Sequence, residues 1–478
     1  MTLTGKDIVN LPHIRAFGFE RSTGLVCDGL STDSRTVGHG KLFVALHGEK
    51  FDGHNFITKA IELGAAAIIA DAKWADANPI MVSSLNLPLL IVEDTIKALG
   101  QLANLQRKKF GIPVVVVGGS NGKTTTKEMV AAVLRTKYRV LSTEGNLNNH
   151  IGVPHTLLRL EKQHQAAVVE IGTNHFGEIM HLCAVAEPTH VLITNIGREH
   201  LEFFGSIDGV AKAEGEAFEW IRKTRRSKAL GFINQDDKRV KKQAKGLRRS
   251  ITYGFDKGPA SVKGKILSFN DDACAILEVK PKGKKAFRVS VGVPGQHNAL
   301  NALAAAAVGL AFKVPAKRIA EALASFTSAS KRMQVLKLNG LTVLNDTYNS
   351  NPDSALAALQ VLGGVKSKGK KIAVLADMLE LGTTGTEEHR RVGQAAAKSG
   401  ARHLLTFGPL SKNTSDSSTV VFKAHFDDKR ALCEHLAEVI TPGDVVLVKG
   451  SRGMKMEEVV AFLEERFKLT QNTPDQAA

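Results

Sequence analysis

Residues 114–126 constrain the fold of this chain more than any other stretch, because four valines run into Gly118, a glycine bend and a hydroxyl-rich helix start. Consecutive valines suit a parallel strand covered on both faces. Met129, Val130, Val133 and Leu134 then recur at helical spacing on a face able to pack against that strand. In the bend itself, Gly119, Ser120, Asn121 and Gly122 let the backbone approach a ligand closely, and the first free amides of the helix point at whatever anion sits there. Lys123 adds a fixed charge, and a hydroxyl of Thr124 or Thr125 can complete the shell of a magnesium ion bridging phosphates. The usual phosphate loop carries a glycine where this chain has Val117, so this loop is shorter.

With 478 residues, 43% hydrophobic and 23% charged, the chain can bury sizeable cores and has the length of about three domains. No apolar run reaches the ~18 residues of a membrane span, and residues 1–13 lack the build of a signal peptide. The expectation is a cytoplasmic protein without membrane insertion. Cys27, Cys183, Cys274 and Cys433 are scattered without metal spacing, as befits reduced, mostly buried thiols. A net charge of +17 and a pI near 9.6 raise the question of nucleic acid. Much of the excess lies in runs at 222–228 and 238–249 with no interleaved aromatics, which read as solvated surface, so no nucleic-acid partner is expected. A positive field also collects anionic substrates.

Ahead of the loop, Ser31, Thr32, Asp33, Ser34 and Arg35 crowd beside a short strand at 42–46, with a second glycine-bearing loop at 48–54. Such residues suit a sugar diphosphate, and equally suit any turn cluster. A helix at 56–64, strands at 65–70 and 89–92 and an amphipathic helix at 95–109 follow, and 111–113 reads as a domain boundary. Beyond the loop, 145–149 is a polar loop in which the Asn146 amide can touch a phosphate or carboxylate. A strand at 167–171 carries Glu170 near its C-terminal end, and a strand at 191–195 delivers His200 to the same edge. Ligands of open α/β sheets bind at that edge, so an acid and a histidine there point to a magnesium-phosphate site. Glu214 lies on a helix, and an alanine-rich helix opens near Asn298 and Asn301, which share one face. Their amides could flank a purine, or Asn298 could cap the helix.

From 331 onward strands at 342–346, 371–377, 402–407 and 444–449 alternate with helices, a second doubly wound parallel sheet without a dinucleotide fingerprint. Polar clusters at its strand ends contain Asp346, Asn349, Asn351, Asp377 and Ser451. The tail from 470 to 478 reads as disordered. The fold expected is α/β in three domains: a small N-terminal domain at 1–110, a central P-loop ATPase domain at 111–328 and a C-terminal Rossmann-like domain at 329–478.

Gly119 to Thr125, Glu170, His200, the run from His297 to Asn301, Arg332 and Asp346 together resemble the ATP site of the Mur ligases, in family order. Asp33 to Arg35, Asp52 to His54, the run from Leu375 to Gly382 and that from Val448 to Arg452 are similar to the MurF type, whose members join D-alanyl-D-alanine to a UDP-N-acetylmuramoyl-tripeptide. The resemblance covers nearly the whole chain. It implies ATP and Mg2+ as cofactors, an acyl-phosphate intermediate and a monomeric enzyme of cell-wall precursor synthesis. It also implies Thr124 and Glu170 on the nucleotide magnesium, His200 near a second ion, Asn298 and Asn301 around adenine, Arg332 by the phosphates and Asp346 on the ribose. Ser31, Asp33, Ser34 and Arg35 would hold the UDP moiety, and Asn349, Asn351, Asp377 and Ser451 the amine donor. Many Mur ligases carry a carbamoylated lysine near the second metal; that position falls on Glu214, not Lys212, so Glu214 is expected to serve as a ready-made carboxylate. The domains are expected to close about 328–332. Folylpolyglutamate synthases share the ATP site, but start almost directly at their P-loop, unlike this chain; a basic P-loop ATPase acting on nucleic acid is the reading from another class.

Overall fold

Apolar, β-branched runs build three large sheets in chain order, beside two of two strands each, in this computed structural model, which describes residues 2–9, 11, 14–17, 24–48, 51–224, 229–255 and 258–467. The first sheet has the order Ile14–Phe17, Leu89–Val92, Ala67–Asp71, Leu42–Val44, Leu30–Ser31, and all its pairs but the first are parallel. The helix Thr95–Lys109 follows it. Asp94 caps this helix by accepting from the amides of Ile96 and Lys97, and the helix lies against the helices Gly152–Leu158 and Glu178–Ala186 of the next unit.

The second sheet centres on the valine strand. Val114–Gly118 lies between Ala166–Glu170 and His190–Ile193, parallel to both, and Val140–Ser142 sits outside Ala166–Glu170. Val114, Val115, Val116 and Val117 are wholly buried, which contributes about 2 kcal/mol apiece over leaving them in water. Because the chain crosses to opposite sides after Val114–Gly118, the order of strands reverses there, and a crevice opens at the carboxyl ends. Register fixes what lines it: Val117 pairs with Glu170 and Gly118 with Ile193.

On one face of this sheet the helix Lys123–Arg135 packs against Gln296–Ala311. Met129, Val130, Val133 and Leu134 are buried as their spacing predicts, and the alanines from Ala302 to Ala307 are buried against them. Small side chains let the two helices approach closely. The sheet then extends through Leu230–Asn234, Ser250–Gly254 and Val262–Phe269 to two antiparallel strands, Cys274–Pro281 and Phe287–Pro294. This extension lies where the sequence shows only short alternating stretches.

The third sheet confirms the four expected parallel strands as Leu341–Asp346, Lys371–Ala376, His403–Phe407 and Val445–Lys449, and adds two edges. Gln334–Leu338 pairs antiparallel with Leu341–Asp346, and Phe422–Phe426 pairs parallel with His403–Phe407. Cys27, Cys183 and Cys433 are buried, Cys274 partly so, and all four are free thiols. Among the described residues no helix is long and apolar enough to cross a membrane. The basic run at 225–228 and the tail from 470 lie outside the described residues.

Candidate active site

The phosphate-loop bend depends on two glycines. Gly119 has φ +112, and a Cβ there would stand 2.8 Å from the Thr194 amide nitrogen; Gly122 has φ +78, and a Cβ would stand 2.8 Å from Asn301 Oδ1. Both conformations disfavour any L side chain. The end of one neighbouring strand, His190–Ile193, then braces the loop twice: the Ser120 amide donates to the Asn195 carbonyl at 2.9 Å, and Thr194 Oγ1 donates to the Asn121 carbonyl at 2.7 Å.

Lys123 heads the helix with its ammonium 3.0 Å from Glu199 Oε2. Burial alone would lower its pKa; the carboxylates of Glu199, Glu214 and Glu170 outweigh this and hold it above the ordinary lysine value. Glu170 is 1% exposed. Its Oε1 accepts from Asn148 Nδ2 at 2.9 Å and its amide donates to Thr143 Oγ1 at 3.0 Å, whereas its Oε2 meets no partner among the described residues. Thr124 Oγ1 is likewise buried and unpartnered. A buried acceptor left unmade costs about 1–3 kcal/mol. Two such oxygens beside an anion-binding loop are hard donors of the kind that magnesium takes, so the residues present fit that ion.

A cavity of about 1010 Å³ spans the loop and the C-terminal unit. Ser120 to Thr125, Asn146, Glu170 and His200 line one wall; Asn298 stands at its side. Arg332, Asp346, Asn349, Asn351 and Ser451 line the facing wall. The two walls touch. Asn351 Nδ2 donates to Asn121 Oδ1 at 2.9 Å, and Arg198 bridges Asp353 at 3.0 Å and Glu388 at 2.9 Å.

Not every expected side chain faces this space. Asn301 sits behind the loop against Gly122 and donates to Asn298 Oδ1 at 3.1 Å. Asn298 donates to the Pro294 carbonyl at 2.7 Å, and the helix cap is Gly295, so Asn298 is not the cap. Asp346 accepts from the Met333 amide at 2.9 Å and pairs with Lys449 at 2.6 Å, which still leaves lone pairs for a ligand hydroxyl. Asp377 is turned away: it is 2% exposed and its Oδ1 accepts from the Ser411 amide at 2.7 Å. Glu214 lies under the loop, fully buried. Its Oε2 accepts from the Gly119 amide at 2.7 Å, and its Oε1 meets no partner among the described residues. Burial, only partly countered by Lys123, raises its pKa to about 8.

Ser31, Asp33, Ser34 and Arg35 lie outside the cavity, at the end of the strand Leu30–Ser31. Asp33 and Arg35 pair with each other at 2.6 Å, and Thr32 Oγ1 is 3.0 Å from His155 Nε2, which ties this loop to the central unit. Sequence reasoning assigns no individual role to Glu199, Asn148, Tyr348 and Glu380, although each lies in a polar run it points to. Tyr348 stacks under the Arg332 guanidinium, 3.8 Å from the ring centroid, and Glu380 reaches His200 across the cleft at 2.6 Å.

Comparison with known proteins bears directly on this geometry. A family model described as the Mur ligase middle domain matches residues 117–309, one described as the Mur ligase glutamate ligase domain matches 331–452, and one described as the Mur ligase family catalytic domain matches 27–107. The UDP-N-acetylmuramoyl-tripeptide–D-alanyl-D-alanine ligase of Bacillus subtilis is 35% identical over 451 residues, covering 92% of this chain and 94% of the relative. The crystal structure of MurF from Acinetobacter baumannii superposes with a TM-score of 0.86 at 30% identity, covering 97% of this chain and 99% of that one. MurF ligase from Thermotoga maritima in complex with ADP gives a TM-score of 0.79 at 29% identity, covering 92% and 97%.

Proposed function

The chain belongs to the Mur ligase family, and we propose that its cleft performs that family's amide-forming chemistry through the residues placed above. The protein is an ATP-dependent ligase that joins D-alanyl-D-alanine to a UDP-N-acetylmuramoyl-tripeptide in peptidoglycan precursor synthesis. The observation that carries the reading of the site is the cluster of Lys123 with the unpartnered oxygens of Thr124 and Glu170 at the phosphate loop.

The tripeptide carboxylate attacks the γ-phosphate of ATP, forming a carboxyl–phosphate bond and releasing ADP; the amine of D-alanyl-D-alanine then attacks the carbonyl and expels phosphate. The first step brings two anions together, and a pair of unit charges at 4 Å repel by about 4 kcal/mol even at an effective dielectric near 20. Lys123 and the loop amides offset that repulsion. Thr124 and Glu170 would hold magnesium, with His200 by a second ion, and the metal would neutralise charge on the transferring phosphoryl group. Asn146 would hold the attacking carboxylate or a phosphate oxygen.

In this reading residues 1–110 hold the UDP moiety through Ser31, Asp33, Ser34 and Arg35, residues 111–328 hold ATP, and residues 329–478 close over it. Arg332 and Asp346 serve phosphates and ribose. Asn298 flanks the adenine from the cleft, and Asn301 supports the loop from behind at Gly122. Asn349, Asn351 and Ser451 form the amine donor's wall; Asp377 supports that wall from behind by holding the 408–411 turn. Glu214, at the position of the carbamoylated lysine in many Mur ligases, lies beneath the loop and anchors it through the Gly119 amide instead of facing an ion. Closure turns on the 328–332 segment, where Lys331 and, just past the segment, Met333 adopt left-handed backbone, φ 65 and φ 51, and it keeps water from the acyl phosphate. The enzyme acts as a monomer in this reading, and ATP and a UDP-linked substrate support a cytoplasmic setting.

Phosphate release is the test. It is expected only when ATP, the tripeptide substrate and D-alanyl-D-alanine are all present, with little release when the amine is withheld because the closed cleft excludes water. Release stimulated by nucleic acid and indifferent to the peptide substrates would overturn the reading.

A further inference from the structure

His200 and Glu380 both line the cleft, and both are non-glycine residues in left-handed backbone, with φ 47 and φ 62. Such conformations cost roughly 1–2 kcal/mol each and persist where the surroundings enforce them. Here they face each other across the gap between the central and C-terminal units. Glu380 Oε2 lies 2.6 Å from His200 Nδ1, though not aligned as a hydrogen bond. The Glu380 carbonyl accepts from the Glu202 amide at 3.2 Å, joining the two backbones at the same point. On the ring's other side Nε2 lies 4.0 Å from Glu199 Oε2, and that same oxygen is 3.0 Å from the Lys123 ammonium. A continuous line of ionisable groups therefore runs from a C-terminal loop to the phosphate-loop lysine.

We propose that Glu380 is a positioning residue that reports domain closure to the phosphate site: docked, it fixes the His200 ring with the proton on Nδ1 and presents Nε2 to the cleft. The inference rests on the reading of His200 as a divalent-ion ligand given above. A carboxylate behind a ligating imidazole sets its tautomer and orientation, and removing one typically weakens metal affinity by about 10- to 100-fold. What differs here is that the carboxylate arrives from another domain. Ion affinity at His200 then depends on closure, whereas the site built by Thr124 and Glu170 does not. The side chain of Glu380 is 47% exposed, so its loss leaves no buried gap.

The experiment titrates Mn2+ into the full chain with a nonhydrolysable ATP analogue, following bound ion by paramagnetic resonance, in the parent, Glu380→Ala, Glu380→Gln and His200→Ala. Two ions are expected in the parent, with the weaker one lost in His200→Ala. Glu380→Ala should weaken that ion by about 10- to 100-fold and leave the tighter one unchanged, and Glu380→Gln, which keeps an oxygen dipole beside Nδ1, should recover part of the loss. Unchanged affinity for the second ion in Glu380→Ala, with that ion lost in His200→Ala, would overturn the inference alone. A parent that binds one ion, or a second ion indifferent to His200→Ala, would overturn both the inference and the role given to His200.

Discussion

Lys123→Ala is expected to lower the ligation rate by about 10³-fold or more, the scale seen when a preorganised charge-stabilising donor is removed from a transition state. The substitution has a second consequence. Lys123 is also the counter-charge for Glu199 at 3.0 Å and lies in the field of Glu214 and Glu170. Breaking a buried pair from one side costs ~3–5 kcal/mol, so lost activity in the single variant could reflect damage to the loop. The double variant Lys123→Ala with Glu199→Gln separates the two effects, because it restores charge balance without restoring a cation. Its thermal midpoint should return toward that of the parent while turnover stays lost. Recovery of ligation in the double variant would contradict the role given to Lys123.

Glu170→Gln is expected to cost about 10²- to 10³-fold in ligation rate with the opposite signature in stability. The carboxylate is buried with one oxygen held by Asn148 and the other without a partner among the described residues, an arrangement that folding alone would not select. Neutralising it keeps the contact with Asn148, since the amide oxygen still accepts, and removes the desolvation cost of the charge. The thermal midpoint should therefore hold or rise as activity falls, the trade expected of a side chain kept for ligand binding. Calorimetry beside a coupled ADP assay reads both quantities. A variant that loses stability and keeps its rate would assign Glu170 to the core.

The parts of the site that were legible in the sequence are those carried by one strand and the turn after it. The valine run, the bend and the helix behind it are local, and a buried parallel strand feeding a helix needs no distant partner to be recognised. Glu170 and His200 could be placed at a common edge because strand ends converge there whatever the sheet order. What the sequence withheld depends on contacts between distant residues. Arg198 with Asp353, Asn121 with Asn351 and His200 with Glu380 exist only once two domains dock, and no periodicity marks them. The direction of a side chain at a strand end was also hidden. Asp377 follows its strand as Asp346 ends its own, yet it turns inward to the Ser411 amide while Asp346 stays on the cavity wall. The edge strand Phe422–Phe426 escaped notice because its residues are only partly buried or exposed and lack the alternation of a half-buried strand.

The central claim, that the Gly119 to Thr124 bend holds a triphosphate with Thr124 and Glu170 on its divalent ion, is tested most directly by a crystal structure with magnesium and a nonhydrolysable ATP analogue. The account predicts the β- and γ-phosphates within hydrogen-bonding distance of the loop amides and Lys123, and an ion coordinated by Thr124 Oγ1 and Glu170 Oε2, two oxygens without a partner among the described residues. A nucleotide bound elsewhere, or a filled loop whose ion ignores both oxygens, would contradict it.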